Sequence, residues 1–196
     1  MKILKSYGII PILGLEEKIN MTKTSFIKKI SVAGLIKIAM VAAIYSIVTI
    51  LGGELSYGPI QIRFSELLNF LAFIDPWFIP GLVLGCAISN FFSFGLIDVF
   101  VGSFATLLST YLMYKSKNII IASLWPIINC VFVAAELYIL GLDAFWFSLI
   151  TVAIGEFIIM TVIGVPIFKI IFKNKRFVEA VRIDKNNKTY KEKLNL

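Results

Sequence analysis

Seven carboxylates lie in the mostly apolar stretch between Lys37 and Lys169, where the cations are Arg63, Lys115 and Lys117. They are Glu54, Glu66, Asp75, Asp98, Glu136, Asp143 and Glu156. A charged side chain near the centre of a bilayer costs about 2.5–3.5 kcal/mol on insertion scales, so it normally faces a partner or a cavity. The pattern therefore indicates a membrane domain whose acidic groups bind a polar ligand or carry protons.

The other cations show the complementary pattern and indicate the sides of that domain. Seven lysines lie from Lys2 to Lys37, two are Lys115 and Lys117, and nine lysines and arginines lie from Lys169 to Lys193. Because cytoplasmic loops of membrane proteins are enriched in Lys and Arg, we expect all three groups on the cytoplasmic side of the cell membrane. The net charge is +7, but the basic residues flank apolar segments and form no basic stripe with interleaved aromatics. No nucleic-acid partner is therefore expected.

Several chemistries are excluded by residues that the sequence lacks. There is no histidine, which excludes Ser-His-Asp catalysis and histidine-based zinc or haem sites. Cys86 and Cys130 stand alone in apolar segments, where we expect them to be buried small hydrophobes. No glycine-rich phosphate loop ending in Gly-Lys-Ser/Thr is present, so any ATP-driven work would require another subunit. We expect no metal, no cofactor and no enzymatic activity.

Six apolar segments predict an all-α integral membrane bundle. A spanning helix needs about 20 apolar residues, and the charge-poor segments are 38–53, 61–74, 76–97, 99–114, 118–140 and 144–168. The second segment is short and carries Arg63 and Glu66. If it did not cross, Lys115 and the basic C-terminal region would lie opposite the basic N-terminal region, against the usual distribution of positive charge. We therefore predict six crossings with both termini cytoplasmic, the second helix being closed by Asp75 before Pro76.

The same pattern divides the chain into three parts. Residues 1–30 are predicted to be a basic cytoplasmic leader, 31–172 a six-helix substrate-binding domain, and 173–196 a basic cytoplasmic tail that is anchored near the membrane and then disordered. The first twenty residues show no small-x-small cleavage site, so we expect no cleaved signal peptide, and Met21 is an alternative translation start.

Polar residues gather in the outer half of the predicted bundle. They are Arg63, Glu66, Asn90, Asp98, Asn129, Glu136 and Glu156. Glu156 lies about ten residues into its helix, or roughly 15 Å deep at about 1.5 Å per residue, and Asn129 lies at a similar depth. Tyr57 and Trp146 lie at the outer level, where their rings could stack on a planar ligand. The set predicts a small-molecule site in this half of the membrane.

Two other interpretations fit the same residues. Interhelical hydrogen bonds, with Arg63 and Glu66 as a local ion pair, would hold the bundle together. Carboxylates without lysine or histidine partners can also relay protons. The sequence leaves both alternatives open beside the binding site.

Small residues four positions apart occur on two of the predicted helices. Such spacing lets another helix approach closely. Gly81 and Gly85 are expected to serve packing inside the bundle. Ala39 and Ala43 on the first helix are a candidate contact with a partner.

Five segments carry a resemblance to a known family. They are YGPIQIRFSELL (57–68), PGLVLGCAISNFF (80–92), GLIDVFVGSFATLLS (95–109), NCVFVAAELY (129–138) and VAIGEF (152–157). In this order they resemble the queuosine-precursor transporter family over about residues 36–172. Members of that family are substrate-binding S components of energy-coupling factor (ECF) transporters.

The resemblance implies a six-helix S component that captures its ligand from outside the cell membrane. It would dock on a transmembrane coupling subunit that two ATPase subunits drive, and it would topple in the membrane to release the ligand inside. Ala39 and Ala43 match the small-residue motif by which S components meet the coupling subunit.

The ligand that the resemblance implies is a 7-deazaguanine, either queuine or one of its precursors. The hypothesis assigns the ring edge to Glu136 or Glu156, an amine arm to Glu66 or Asp98, and the remaining polar atoms to Asn90 and Asn129. The alternatives are an S component for another vitamin or nucleobase and a stand-alone proton-coupled carrier, because a fold alone does not fix its ligand.

Overall fold

The computed structural model describes residues 30–93, 95–187 and 189–194, and in those parts the regular structure is helical. Residues 36–196 belong to one compact unit, and the described residues 30–35 belong to a second, N-terminal unit. In that N-terminal unit Gly34 N donates a 3.1 Å hydrogen bond to Ser31 Oγ. Apart from Ile30, the predicted leader 1–30 lies outside the described residues.

Within the described residues, four helices are long and apolar enough to cross a membrane, and two shorter apolar helices lie between the first and second of them. In chain order the six are α1 (Val32–Gly52), α2 (Phe64–Ile74), α3 (Pro76–Phe91), α4 (Leu96–Lys115), α5 (Ile119–Ile139) and α6 (Phe145–Lys173). The prediction of an all-helical, multi-pass membrane protein is confirmed. Each of the six predicted segments overlaps one of these helices, of which α2 is the shortest, and the number of six crossings stays a prediction.

The boundaries of the third and fourth helices differ from the predicted ones. The third segment was expected to extend to residue 97, but α3 ends at Phe91 and α4 begins at Leu96. The turn between them contains Gly95 with φ 74°, a left-handed conformation that glycine adopts without steric cost. At its other end, α3 begins as predicted after Asp75, whose carboxylate caps the helix by accepting a 3.1 Å hydrogen bond from Trp77 N.

Three of the helices contain an irregular turn. The first part of α2 is a 3-10 helix (Phe64–Asn69), α5 contains a 3-10 turn (Pro126–Ile128), and α6 contains a π-helical segment (Phe157–Gly164). Pro126 explains the break in α5, because proline has no N–H to donate to the preceding turn. Irregular turns of this kind often occur at functional positions.

The glycine pair of α3 packs against α1. A Cβ at Gly81 would lie 2.6 Å from Ile38 O, and one at Gly85 would lie 2.8 Å from Ala42 O. Only glycine allows the two backbones to approach this closely. The prediction of internal packing for this pair is confirmed.

Beyond α6 the chain folds back onto the bundle. It forms two short helices, α7 (Lys175–Val181) and α8 (Thr189–Leu194). We call residues 174–187 and 189–194 the C-terminal strap. Asp75 Oδ2 accepts hydrogen bonds from the strap amides of Ile183 (2.7 Å) and Asp184 (2.9 Å). The expectation that the tail becomes disordered is therefore wrong for the described residues.

Two lysines fasten the strap to other helices. Lys37 on α1 donates from Nζ to the carbonyl oxygens that end α7, those of Ala180, Val181 and Arg182. Lys193 on α8 donates to Phe73 O (2.9 Å) and to Tyr114 O. These contacts bring Lys37 of α1, the α2–α3 junction and the end of α4 to one end of the compact unit, which we call the basic end.

Candidate functional site

Glu66 is held by two buried side chains, Tyr45 on α1 and Asn69 on α2. The Tyr45 hydroxyl donates to one carboxylate oxygen of Glu66, and Asn69 Nδ2 donates to the other. Directly beside them, Thr49 Oγ1 and Ser65 Oγ lie 2.6 Å apart in a hydrogen bond. The Glu66 carboxylate is thus fixed in orientation before any ligand arrives.

Arg63 is the buried cation of this region. Its Nε donates to Ser56 O (3.0 Å) and its Nη1 donates to Asn90 Oδ1 (3.2 Å), while its guanidinium lies 5.5 Å from the centre of the Tyr57 ring. Its charge interacts with that of Glu66, while its guanidinium donates hydrogen bonds to Ser56 and Asn90. Arg63 therefore links the loop after α1 to α3.

Asn90 carries the network on to α4. Its Nδ2 donates to the backbone oxygen and to Oδ1 of Asp98, each at 3.1 Å. The carboxyl of Asp98 lies in turn beside that of Glu136 on α5. Arg63 also interacts electrostatically with Asp98, Glu136 and Glu156. One cation thus stands among four acidic side chains from four helices.

Several buried acceptors on α5 and α6 have no hydrogen-bond partner within the described part of the chain. They include Asn129 Oδ1, Glu136 Oε1 and Glu156 Oε2. Glu136 is only 3% exposed and Glu156 only 5%. A buried polar atom left unsatisfied costs about 1–3 kcal/mol, and more when it is charged. These acceptors are accordingly the atoms that would gain most from N–H donors of a bound molecule.

The irregular turns lie at or next to three polar residues of the site. Glu66 lies in the 3-10 part of α2, Asn129 directly follows the 3-10 turn of α5, and Glu156 directly precedes the π-helical part of α6. Such turns change the direction in which successive side chains leave the helix axis. They bring acidic and amide groups from three helices towards the same interior.

The loop before α2 lies against the site. A Cβ at Gly155 would collide with the backbone oxygen of Ile60, so this loop contacts α6 next to Glu156. Gln61 within the loop has φ 47°, which is uncommon for a residue other than glycine. Backbone strain of this kind persists where the surroundings fix it, often at binding sites.

The two aromatic residues predicted for the site have different positions. Tyr57 is half-buried, donates from its hydroxyl to Ser89 O (2.8 Å) and contacts Arg63; burial raises its pKa. Trp146 is 72% exposed and packs edge-to-face on Phe145, with ring centroids 5.2 Å apart. It lines a groove of about 610 Å³ with Tyr138 on the surface of α5 and α6. The structure does not bring Trp146 together with the polar residues.

Sequence reasoning missed Tyr45 and Asn69. Tyr45 lies in the middle of an apolar helix, where an aromatic residue carries no distinct signal. Asn69 was detectable, because it follows Glu66 by three residues and such pairs share a helix face. Among the described residues, no group of three or more His, Cys, Asp or Glu side chains is placed to hold a metal ion.

An apolar helix bundle that encloses acidic and amide side chains in this way is typical of a multi-pass membrane transporter. The model of the family described as QueT transporter matches residues 35–173, and the chain belongs to that family. This confirms the resemblance drawn from the sequence and places the chain among transporters, not enzymes.

A curated relative supports the same conclusion over part of the chain. The chain is 49% identical over 82 residues to the "Queuosine precursor transporter QueT" of Lactococcus lactis subsp. cremoris. The match covers 41% of this chain and 48% of the relative, so the chain spans about half the length of the relative it matches. No solved structure matches the chain.

Proposed function

We propose that this protein captures a 7-deazaguanine, either queuine or a queuosine precursor, as the S component of an ATP-driven ECF importer. The observation that carries the proposal is the set of buried, unsatisfied acceptors on α5 and α6, Asn129, Glu136 and Glu156. Family membership supports it, and so does the similarity to the Lactococcus lactis queuosine precursor transporter.

The chemistry of the ligand suits these acceptors. A guanine-like edge presents a ring N–H and an exocyclic amine side by side, and one carboxylate can accept both as parallel hydrogen bonds. Hydrogen bonds to a charged group contribute about 1.5–3 kcal/mol each. We assign the ring edge to Glu136 or Glu156, whose free oxygens are buried. Asn129 then accepts from a remaining donor.

An amine arm of the ligand would pair with Asp98 in preference to Glu66. Both oxygens of the Glu66 carboxylate already accept hydrogen bonds, from Tyr45 and from Asn69. Asp98 lies beside Glu136, so a cationic group between the two carboxyls would offset their mutual repulsion. Asn90 and Arg63 would hold Asp98 in place, and Tyr57 would cover Arg63 from the loop.

The proposal includes the membrane topology and the partners. The chain would cross the cell membrane six times with both termini in the cytoplasm, so that the basic end faces inward and the polar site opens outward. A transmembrane coupling subunit and two ATPase subunits would supply the energy. Ala39 and Ala43, which are exposed on α1, would contact the coupling subunit.

Calorimetric titration of the purified protein tests the capture function. The ligands are queuine, its aminomethyl and cyano precursors, and guanine. We expect tight binding of one deazaguanine and rejection of guanine; no binding of any deazaguanine would overturn the proposed ligand class. Glu136→Gln or Glu156→Gln should weaken binding roughly tenfold to hundredfold, the equivalent of one or two charge-assisted hydrogen bonds. Glu54→Gln, an exposed carboxylate in the loop after α1, serves as the control.

Transport measurements distinguish a stand-alone proton-coupled carrier from the proposed S component. Such a carrier would accumulate the ligand in proteoliposomes without ATPase subunits and in response to a pH gradient. The proposed S component should instead bind the ligand alone and accumulate it only with the coupling and ATPase subunits and ATP. Uptake by the isolated chain would rule out the ECF assignment while leaving the binding result intact.

A further inference from the structure

A basic cleft lies at the basic end, away from the polar site. It has a volume of about 740 Å³ and lies between the α4–α5 turn, the last turns of α6 and the C-terminal strap. Four of its lining residues are lysines: Lys117 from the turn, Lys169 and Lys173 from α6, and Lys193 from α8. The first three are exposed to solvent or lipid.

The lysines of this cleft have little local compensation. Lys169 and Lys173 are four residues apart and therefore share one face of α6. The carboxylate among the lining residues is that of Glu192, at the exposed surface of the strap. Burial, and then the positive charge of Lys115, lower the pKa of Lys193 to about 8. The cleft thus holds a concentration of positive charge that a bound anion would offset.

Apart from Asn118, the remaining wall of the cleft is apolar. Ile119, Ile120, Phe172 and Leu194 line it beside the lysines. Ile119 and Ile120 begin a helix that is apolar enough to cross the membrane, so this wall continues into the hydrocarbon region. A soluble anion would use only the lysines, whereas a lipid would place its phosphate on the lysines and its acyl chains along the apolar wall.

We propose that this cleft is a binding site for the phosphate of an anionic phospholipid, held by Lys117, Lys169 and Lys173. The strap forms one side of the cleft, since α8 supplies Lys193 and Leu194. A bound lipid would therefore fasten the strap to α5 and α6 in addition to the hydrogen bonds that the strap makes with Asp75 and Lys37. The site is independent of the deazaguanine proposal, because none of the polar-site residues lines the cleft.

Native mass spectrometry of the full chain tests this site with phosphatidylglycerol as the probe and phosphatidylcholine as the neutral comparison. We expect phosphatidylglycerol to be retained preferentially. A triple variant with Lys117→Gln, Lys169→Gln and Lys173→Gln should lose about hundredfold in affinity, since a lysine near an anionic surface contributes about fivefold. The single variant Lys173→Gln should lose a smaller part and guards against misfolding of the triple variant.

The matched control removes three cations outside the cleft, by Lys175→Gln, Arg176→Gln and Lys191→Gln, all at exposed positions. We expect its affinity for phosphatidylglycerol to fall much less than that of the cleft variant, because none of the three residues lines the cleft. Equal losses in the two triple variants would overturn the proposal in favour of a nonspecific charge effect. Inorganic phosphate and glycerol phosphate are added as soluble competitors. Displacement of the lipid by millimolar amounts of either would assign the cleft to a soluble phosphate and likewise overturn the lipid proposal.

Discussion

Arg63 determines the electrostatics of the polar site. It is buried, and it interacts with the acidic side chains of four helices. It also donates hydrogen bonds from Nε to Ser56 O and from Nη1 to Asn90 Oδ1. A neutral side chain without the guanidinium fork would not make both of them. Removing one partner of a buried charge network is much more costly than replacing the whole network, because the remaining charges stay uncompensated.

We therefore predict that Arg63→Gln strongly destabilises the protein. Breaking a buried ion pair costs about 3–5 kcal/mol, which for a domain of this size corresponds to a fall in Tm of roughly 6–20 °C. Thermal unfolding in detergent, followed by circular dichroism, measures the change. Arg176→Gln, at an exposed position in the strap, should leave Tm within a few degrees. An unchanged Tm for Arg63→Gln would show that the guanidinium does not stabilise the network.

Whether a site residue could be predicted from the sequence depends on how much its type differs from that of its neighbours in the chain. A carboxylate or amide in an apolar segment is visible at once, so Glu66, Asn90, Asp98 and Glu136 could be predicted. Tyr45 could not, because a tyrosine among apolar residues has the same appearance whether it faces lipid or a carboxylate. Aromatic residues near helix ends are ambiguous for the same reason, and Trp146 was consequently grouped with the site.

At the scale of the helices, local geometry could be predicted only where a residue type imposes it. Pro126 indicates the break in α5, and Asp75 before Pro76 indicates the end of α2. The π-helical part of α6 has no such residue. It packs on a distant part of the chain, since a Cβ at its last residue, Gly164, would lie 2.5 Å from Cε2 of Phe70 on α2.

The approach of the loop to α6 gives a test at this scale. Gly155→Ala places a methyl group against Ile60 O, and because the nearest atoms are backbone atoms of Ile60 and Gln61, the loop must move. We expect a destabilisation of about 1–3 kcal/mol, as for other overpacked positions. Deazaguanine affinity should also fall, since the displaced loop lies beside Glu156. Calorimetry and thermal unfolding measure the two effects.

Ile154→Ala is the control for this substitution. Its side chain is on the exposed side of the same turn, so both stability and affinity should remain close to those of the parent. If Gly155→Ala lowers stability without changing affinity, the loop does not contribute to the polar site.

The strap shows why composition alone failed for the tail. Its charge density predicts disorder, but Val178 and Tyr190 are buried in a core that also contains Phe73 and Phe172. Arg182 lies 3.8 Å from the centre of the Tyr190 ring, so part of the charge serves packing. A few apolar residues with suitable spacing are enough once Asp75 and Lys37 satisfy the backbone groups.

Asp75→Ala tests the strap directly. It removes the acceptor of the Ile183 and Asp184 amides and of the Trp77 amide. The free energy that opens the strap should fall by about 1–3 kcal/mol. Strap amides should then exchange with deuterium roughly ten to a hundred times faster, as measured by mass spectrometry. Asp143→Ala, in the loop before α6, should leave the exchange of the strap unchanged. Equal protection in the two variants would show that Asp75 does not hold the strap.

For the whole molecule, the distribution of charge carried most of the prediction. The basic groups flank the apolar helices, and the strap brings Lys37, Lys115 and Lys193 to one end of the compact unit. The polar site contains none of these lysines, and Arg63 is its cation.

The helix α1 has two different faces. Ala42 is buried against Gly85, while Ala39 and Ala43 are exposed.

The two faces of α1 permit a test that separates binding from transport. The double variant with Ala39→Leu and Ala43→Leu enlarges only the exposed face, so ligand affinity should remain within about twofold of the parent, as surface substitutions change stability little. If this face contacts the coupling subunit, the added leucine side chains keep α1 away from the helices of that subunit. ATP-driven uptake of labelled queuine into proteoliposomes with the coupling and ATPase subunits should then fall at least about tenfold, the equivalent of about 1.4 kcal/mol of lost association.

Two controls make the outcome specific. Ala144→Leu, at an exposed alanine before α6, should leave both binding and uptake unchanged. Ala42→Leu should instead destabilise the bundle, because the new side chain would press on α3 near Gly85. Normal uptake by the double variant would exclude Ala39 and Ala43 as the partner contact. Loss of binding together with uptake would mean that the exposed face of α1 acts on the site itself, since a contact used only for docking cannot change the affinity of the isolated protein for its ligand.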